Sequence, residues 1–293
     1  MKRGLRRVML VAVAAVLALL AVAFIFILPA RRLTVEQVAV HLPHWPAGGA
    51  PARIAVLSDL HAGRYDGAWV DAIVQRTLAL QPQAILLLGD YFNALHHGSG
   101  MPPQELARRL APLVARCPVY FVCGNHDRGR RGFQLRRELT ALGMVNLEGK
   151  DRELRFPNGQ ALVLRGAAFC METSGKEPFY VKRTLQKRFS RGALPQDKPL
   201  LAACHSPFYF LRRPLWADVT VAGHTHGGQV CMPGGYPLAS LPYWSPSHTR
   251  SGLKTGAAGT PLYISRGLGL SQLPFRAFCP PEITLLLLLG KGE

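Results

Sequence analysis

From residue 50 onward the chain repeats one pattern: four to six apolar residues run without interruption into polar ones. It appears in RIAVLSDLH, AILLLGD, VYFVCGNHD, LLAACHSP and DVTVAGHTH. Continuous apolar runs of this length predict strands buried on both faces of a sheet, since a half-exposed strand would alternate. Alternation occurs ahead of them, in LTVEQVAVHLP, which predicts a half-buried strand followed by the loop HWPAGGAPA. Between the early runs the period changes to that of a helix. GAWVDAIVQRTLAL sets Trp69, Val70, Ile73, Val74 and Leu78 on one face. PPQELARRLAPLVA follows the second run, with Pro112 expected to kink or split it. GFQLRRELTALG follows the third and closes on Gly143 as a C-cap. Strand, loop and helix in repetition predict an α/β domain, with a β-richer second half in ALVLRGAAF, PLYISRG and EITLLLLL.

The front of the chain breaks this pattern. Val8 to Leu28 carries no charge and matches the roughly 20 residues a helix needs to cross a bilayer. A cleaved signal peptide is the alternative, and Arg6-Arg7 hints at twin-arginine export. However, the run exceeds the roughly 7–15 apolar residues of a signal core and continues past the small-residue site at Ala21-Val22-Ala23. The chain therefore divides into an anchor with basic flanks (1–32), a connecting strand and loop (33–50), and one catalytic domain (51–293). A single pass through a membrane is the expectation. Lys2, Arg3, Arg6 and Arg7 favour an N-inside topology with the domain outside the cytoplasm. Arg31 and Arg32 oppose it, as do six cysteines with no CxxC or disulfide-scaffold spacing, which read as core thiols.

The net charge of +18 calls for an anionic partner. Beside a membrane anchor, anionic headgroups or a lipid-linked phosphorylated substrate satisfy that charge most simply. Much of the excess lies in RGRRGFQLRR (128–137) and VKRTLQKRFSR (181–191). The second reads equally as a basic amphipathic helix on a membrane or as an ordinary surface helix. Nucleic acid is disfavoured by the apolar span and by the lack of an aromatic stacking motif interleaved with the basic runs. Nothing points to a protein partner.

Candidate chemistry lies where the apolar runs end. Run one ends in Asp59 and His61, run two in Asp90, run three in Asn125-His126-Asp127, run four in His205, and run five in His224 and His226. Ligands gather beyond the carboxyl ends of strands in open α/β sheets, so these side chains can pool in one place. Singly, each motif has a bland reading as a turn, a surface loop or a satisfied core histidine. Together they claim five of the ten histidines, in order. Imidazole with carboxylate and no thiolate suits Zn, Mn or Fe in a reactive rather than a structural site. His96, His97 and His248 fall outside the pattern and read as loop residues.

The series SDLH, GDYFN, GNHD, CHSP and GHTHGGQ resembles the calcineurin-like metallophosphoesterase superfamily over about residues 50 to 290. HGGQ, ISRGLG and FCPPEITLL resemble its membrane-associated bacterial branch, with YkuE- and YaeI-type phosphodiesterases and UDP-2,3-diacylglucosamine pyrophosphatases. The resemblance implies a four-layer α-β-β-α sandwich of two mixed sheets flanked by helices. It also implies two divalent ions, attack on phosphorus by a hydroxide bridging them, and a bacterial cytoplasmic membrane for the anchor. It assigns Asp59, His61 and His226 to one ion and Asn125, His205 and His224 to the other, with Asp90 bridging. His126 becomes the group that stabilises or protonates the leaving oxygen. Many relatives read GDxxD where this chain has Asn93, so the brace on His126 falls to Asn93 or Asp127 and leaving groups of low pKa are favoured. Arg64, Arg128 and Arg266, with Asn93, are candidate substrate contacts. The glycines beside the motifs are expected to let phosphate approach the backbone. The implied activity is hydrolysis of a phosphodiester or pyrophosphate, such as UDP-2,3-diacylglucosamine in lipid A assembly. A nuclease of the same superfamily and a metal-free scaffold are the alternatives.

Overall fold

The uninterrupted apolar runs form the centre of two six-stranded mixed sheets that pack face to face. The computed structural model describes residues 2–46, 50–63, 67–93, 100–167, 197–207, 217–238, 250–256, 259–271 and 273–290. The first sheet has the order β1-β14-β2-β3-β4-β5. These strands are β1 (Thr34–Leu42), β14 (Glu282–Gly290), β2 (Ala52–Leu57), β3 (Ala84–Leu87), β4 (Val119–Phe121) and β5 (Val145–Asn146). The second sheet has the order β12-β13-β9-β8-β7-β6. Here β6 is Asp151–Arg155, β7 Ala161–Gly166, β8 Leu200–Ala203, β9 Val219–Ala222, β12 Gly252–Thr255 and β13 Pro261–Ile264. A short hairpin, β10 (Cys231–Met232) with β11 (Tyr236–Pro237), stands apart.

Burial follows the side-chain alternation of each strand. Ile54, Val56, Leu86 and Val122 face Leu164, Leu201, Ala203 and Val221 across the inter-sheet core. Ala55, Leu57, Ile85 and Phe121 point the other way, onto helices α3 (Gly67–Ala79), α4 (Pro103–Val114) and α5 (Gly129–Ala141). The outer face of the second sheet has its own buried cluster around Val163, Ala202 and Ile264. Among the described residues, then, helices cover the first sheet. The basic segment 181–191 lies outside them, as do Arg64, His96, His97 and His248.

Three local findings refine the expectations. Helix α4 runs through Pro112 to Val114 without splitting. Pro112 lies in its last turn, so the missing N–H costs little continuity. Gly143 ends α5 as expected, at φ +92°, with Gly143 N–H donating to Thr140 and Met144 N–H to Leu139. The half-buried strand β1 is built into the first sheet, parallel to β14, so the segment after the apolar helix is zipped to residues 282–290.

Ahead of β1 stands an exposed helix: α1 (Lys2–Val22), a π-helical turn at Ala23–Ile27, and α2 (Leu28–Arg31). Gly4–Arg31 is long and apolar enough to cross a membrane, and none of its most apolar stretch is buried against the protein.

Candidate metal centre

Five strands deliver their motifs to one edge of the sandwich, and the backbone there is strained. Nine non-glycine residues among those described have positive φ, and five of them are Asp59, His61, Asp90, His224 and His226. Left-handed backbone at bulky residues persists only where the surroundings enforce it, and it concentrates at functional sites. The enforcement is visible in the hydrogen bonds. Asp59 N–H donates to Gly89 and His61 N–H to Asp90, each at 2.9 Å, while Gly223 N–H donates to His205 at 2.9 Å. These contacts stitch the end of β2 to that of β3 and the end of β8 to that of β9, and His224 N–H donating to Asp59 joins the two sheets.

The side chains so held form two clusters, Asp59 with His61 and His226, and Asp90 with His205 and His224. In the first, Nε2 of His61 lies 3.0 Å from Nε2 of His226, which is 3.6 Å from Asp59 Oδ1. In the second, Nε2 of His205 lies 3.0 Å from Nδ1 of His224 and 3.0 Å from Asn125 Oδ1. Asp90 Oδ2 reaches both, at 3.3 Å from His205 Nε2 and 3.7 Å from His61 Nε2. Buried nitrogens converging this closely, with carboxylate oxygens beside them, have the spacing of neighbours around shared cations. The donor set is therefore chemically suited to two divalent ions. Nδ1 of His205 must donate to the Leu88 carbonyl at 2.9 Å, which leaves Nε2 to face the centre.

Two glycines do work other than the expected one. A Cβ at Gly124 would fall 2.1 Å from Asp90 Oδ1, and one at Gly223 would fall 2.4 Å from Asp59 Oδ2. These positions make room for the carboxylates of Asp59 and Asp90 rather than for phosphate. Asp59 also accepts from Ser58 Oγ at 2.6 Å and from the His224 N–H.

Of the two residues expected to brace His126, Asp127 is committed to the backbone. Asp127 is buried, and its carboxylate accepts from the backbone N–H groups of Asp90, Tyr91 and Gly124. It therefore clamps the β3 and β4 loops together. Asn93 donates to the carbonyls of Leu270 and Ser271. His126 donates its own N–H to Asp90 Oδ1 at 2.9 Å, and its partly exposed ring packs edge-on to His61. Arg128 stands exposed one residue beyond Asp127. Arg266 is committed elsewhere: its guanidinium pairs with Glu36 and Glu282, which satisfies its charge away from the centre. Arg276, absent from the sequence-based set, is wholly buried. It sits 3.3 Å from His226 Nδ1 and donates to the carbonyls of Arg266, Gly269 and Cys279. No strand-end pattern marks it, because it lies in a loop with no apolar run before it.

Burial raises Asp59 to about 6, against the pull of His205. Asp90 is buried too, yet His205, His61 and His126 hold it well below the usual carboxylate range. Burial pushes His61 down to about 4 and His224 down to about 3, so both offer lone pairs at neutral pH. Burial, with His61 and Arg276, holds His226 below the ordinary imidazole range. His205 goes the other way: burial disfavours its charge, but Asp90 and Asp59 raise it to about 9. The two carboxylates thus hold a proton where a cation can replace it.

Metal loading should therefore release protons. At pH 7, below the His205 value of about 9, Nε2 must lose its proton before it can ligate. Calorimetry in buffers of different ionisation enthalpy should count at least about one proton released per chain at pH 7, and about one more where a bound water ionises as well. Affinity should rise with pH and level off above about 9. A count of zero at pH 7 would contradict this account of His205.

Imidazole and carboxylate donors pooled at strand ends from two packed sheets suit a metal-dependent enzyme, and comparison with known proteins gives its class. Residues 52–228 match the family described as Calcineurin-like phosphoesterase, and the chain belongs to that family. It is 27% identical to the metallophosphoesterase YkuE of Bacillus subtilis over 83% of this chain and 81% of that one. It is 26% identical to phosphodiesterase YaeI of Escherichia coli over 87% of this chain and 88% of that one. A bovine transmembrane protein with metallophosphoesterase domain is 25% identical over 87% of this chain and 56% of its own length. The protein is a metal-dependent phosphoester hydrolase of this family.

Proposed function

We propose that this is a membrane-anchored phosphoesterase that hydrolyses a phosphodiester or pyrophosphate bond in a lipid-linked or envelope substrate. UDP-2,3-diacylglucosamine is the sharpest candidate, and Mn, Fe or Zn are the candidate ions. The observation that carries the reading is the convergence of Asp59, His61 and His226 beside Asp90, His205 and His224. In this reading the first three hold one cation, His205, His224 and Asn125 hold the second, and Asp90 joins them. Two such cations supply an ionised water at neutral pH and neutralise phosphoryl oxygens. The protein's own part is positional. Asp90 sets the spacing, Asp127 fixes the loops that carry Asp90 and His126, and His126 donates to the departing oxygen. The apolar helix Gly4–Arg31 and the net charge of +18 support a substrate held at an anionic membrane surface.

The test is hydrolysis by the full chain with added manganese, on a UDP-linked diacyl sugar and on bis(p-nitrophenyl) phosphate in parallel. Cleavage of both, faster on the acylated pyrophosphate, supports the reading. Cleavage of the soluble diester alone leaves the phosphoesterase and removes the lipid-linked substrate.

A further inference from the structure

The C-terminal end of the apolar helix touches the catalytic domain at one informative place. Arg276 N–H donates to the Phe26 carbonyl at 3.2 Å, and the rings of Phe26 and Phe275 meet edge to face, 5.4 Å between centroids. Phe26 lies five residues before Arg31. At ~1.5 Å per residue, that is about 7 Å further along the helix than the exposed arginines that close it. If Arg31 and Arg32 stand at the membrane surface, the 273–276 loop is carried below that level, into the headgroup layer.

The surface around this contact is apolar. Outside the helix, exposed large apolar residues are few among those described, and most lie on two adjoining segments. Met232, Tyr236 and Leu238 share one face of the β10–β11 hairpin, since Met232 pairs with Tyr236 and Leu238 follows two residues later. Leu273 and Phe278 lie on the neighbouring loop. Cys231 N–H donates to the Ala277 carbonyl at 2.9 Å, which joins hairpin to loop. The same loop is tied to the metal centre, because Gln229 donates to the carbonyls of Leu273 and Phe275, and Arg276 reaches His226.

We propose that the hairpin 231–238 and the loop 273–278 form a second membrane-contact surface beside the anchor. This surface holds the metal centre against the lipid headgroups. The occupant is the bilayer rather than a protein, because the patch is continuous with the apolar helix and bonded to it below its closing arginines. An exposed apolar patch with a tyrosine at its edge fits the boundary between headgroups and acyl chains. The inference rests on the reading of Gly4–Arg31 as a membrane span, and it deepens the proposal of a lipid-borne substrate. A substrate with acyl chains would then reach the ions without leaving the membrane.

The experiment uses the full chain in phosphatidylcholine–phosphatidylglycerol vesicles, with or without phosphatidylcholine brominated on its acyl chains. Tyr236→Trp and Phe278→Trp place reporters on the surface, and Phe133→Trp, exposed on α5, serves as control. Emission is compared with that of the parent chain, which has four tryptophans. The added emission at 236 and 278 should fall at least about twofold with brominated lipid while that at 133 does not. Leu238→Trp replaces either variant should it fail to fold. Equal emission in both vesicles would overturn the proposal and leave the patch to a protein partner or a second copy. Hydrolysis of bis(p-nitrophenyl) phosphate and of a UDP-linked diacyl sugar by the parent chain is read in the same vesicles. Quenching without hydrolysis of either sinks the proposed function and keeps the surface, and hydrolysis of the acylated substrate without quenching does the reverse.

Discussion

Asp90→Asn should reduce kcat/KM on any phosphodiester by ~10³-fold or more and lower metal content below two ions per chain. One oxygen of this carboxylate approaches both clusters, at 3.3 Å from His205 and 3.7 Å from His61. The other accepts the His126 N–H. An amide retains the shape but offers one acceptor in place of two and brings an NH₂ group to nitrogens that must present lone pairs. A neutral residue also removes the negative charge that offsets two cations. Elemental analysis of the purified variant, with its thermal midpoint as a control for folding, separates lost metal from lost structure. Activity within tenfold of the parent at full metal content would remove Asp90 from the bridging role.

The core of this arrangement was readable before any coordinates because of how buried strands are written. A strand covered on both faces has no polar positions of its own, so the first polar residues after each run lie at the sheet edge. Asp59, Asp90, Asn125, His205 and His224 all stand at such boundaries, and the structure brings them together. What escaped lacks that boundary. Arg276 sits 50 residues beyond His226 in a loop and reveals itself only through burial against carbonyls. The role of Gly223 depends on the Asp59 carboxylate across the sheet, a distance no spacing rule encodes. Asp127 looked like a side-chain brace, but three backbone donors had the prior claim, because buried N–H groups cannot be left unpaired. Arg266 had the right neighbourhood in the chain and the wrong partners in space.

His126→Ala should cost ~10²-fold or more on diesters with poor leaving groups and much less on p-nitrophenyl esters. A departing alkoxide needs a donor, whereas a phenolate of low pKa can leave without one. The ring is placed for this: it packs against His61 at the edge of the first cluster, keeps part of its surface open, and is tethered through its N–H to Asp90. Its setting also sets a limit. Asp127 is spent on backbone amides, Asp90 Oδ2, 3.8 Å from the ring Nε2, is shared with the two ligand clusters, and Asn93 has no charge with which to stabilise an imidazolium. The parent enzyme should therefore show a steep dependence on leaving-group pKa and prefer anhydrides, such as a nucleotide pyrophosphate, over alkyl esters. Restoring a carboxylate with Asn93→Asp should flatten that dependence by accelerating poor leaving groups. A series of aryl and alkyl diesters measures both slopes. Equal losses across the series in His126→Ala would show that the ring assists somewhere other than the departing oxygen.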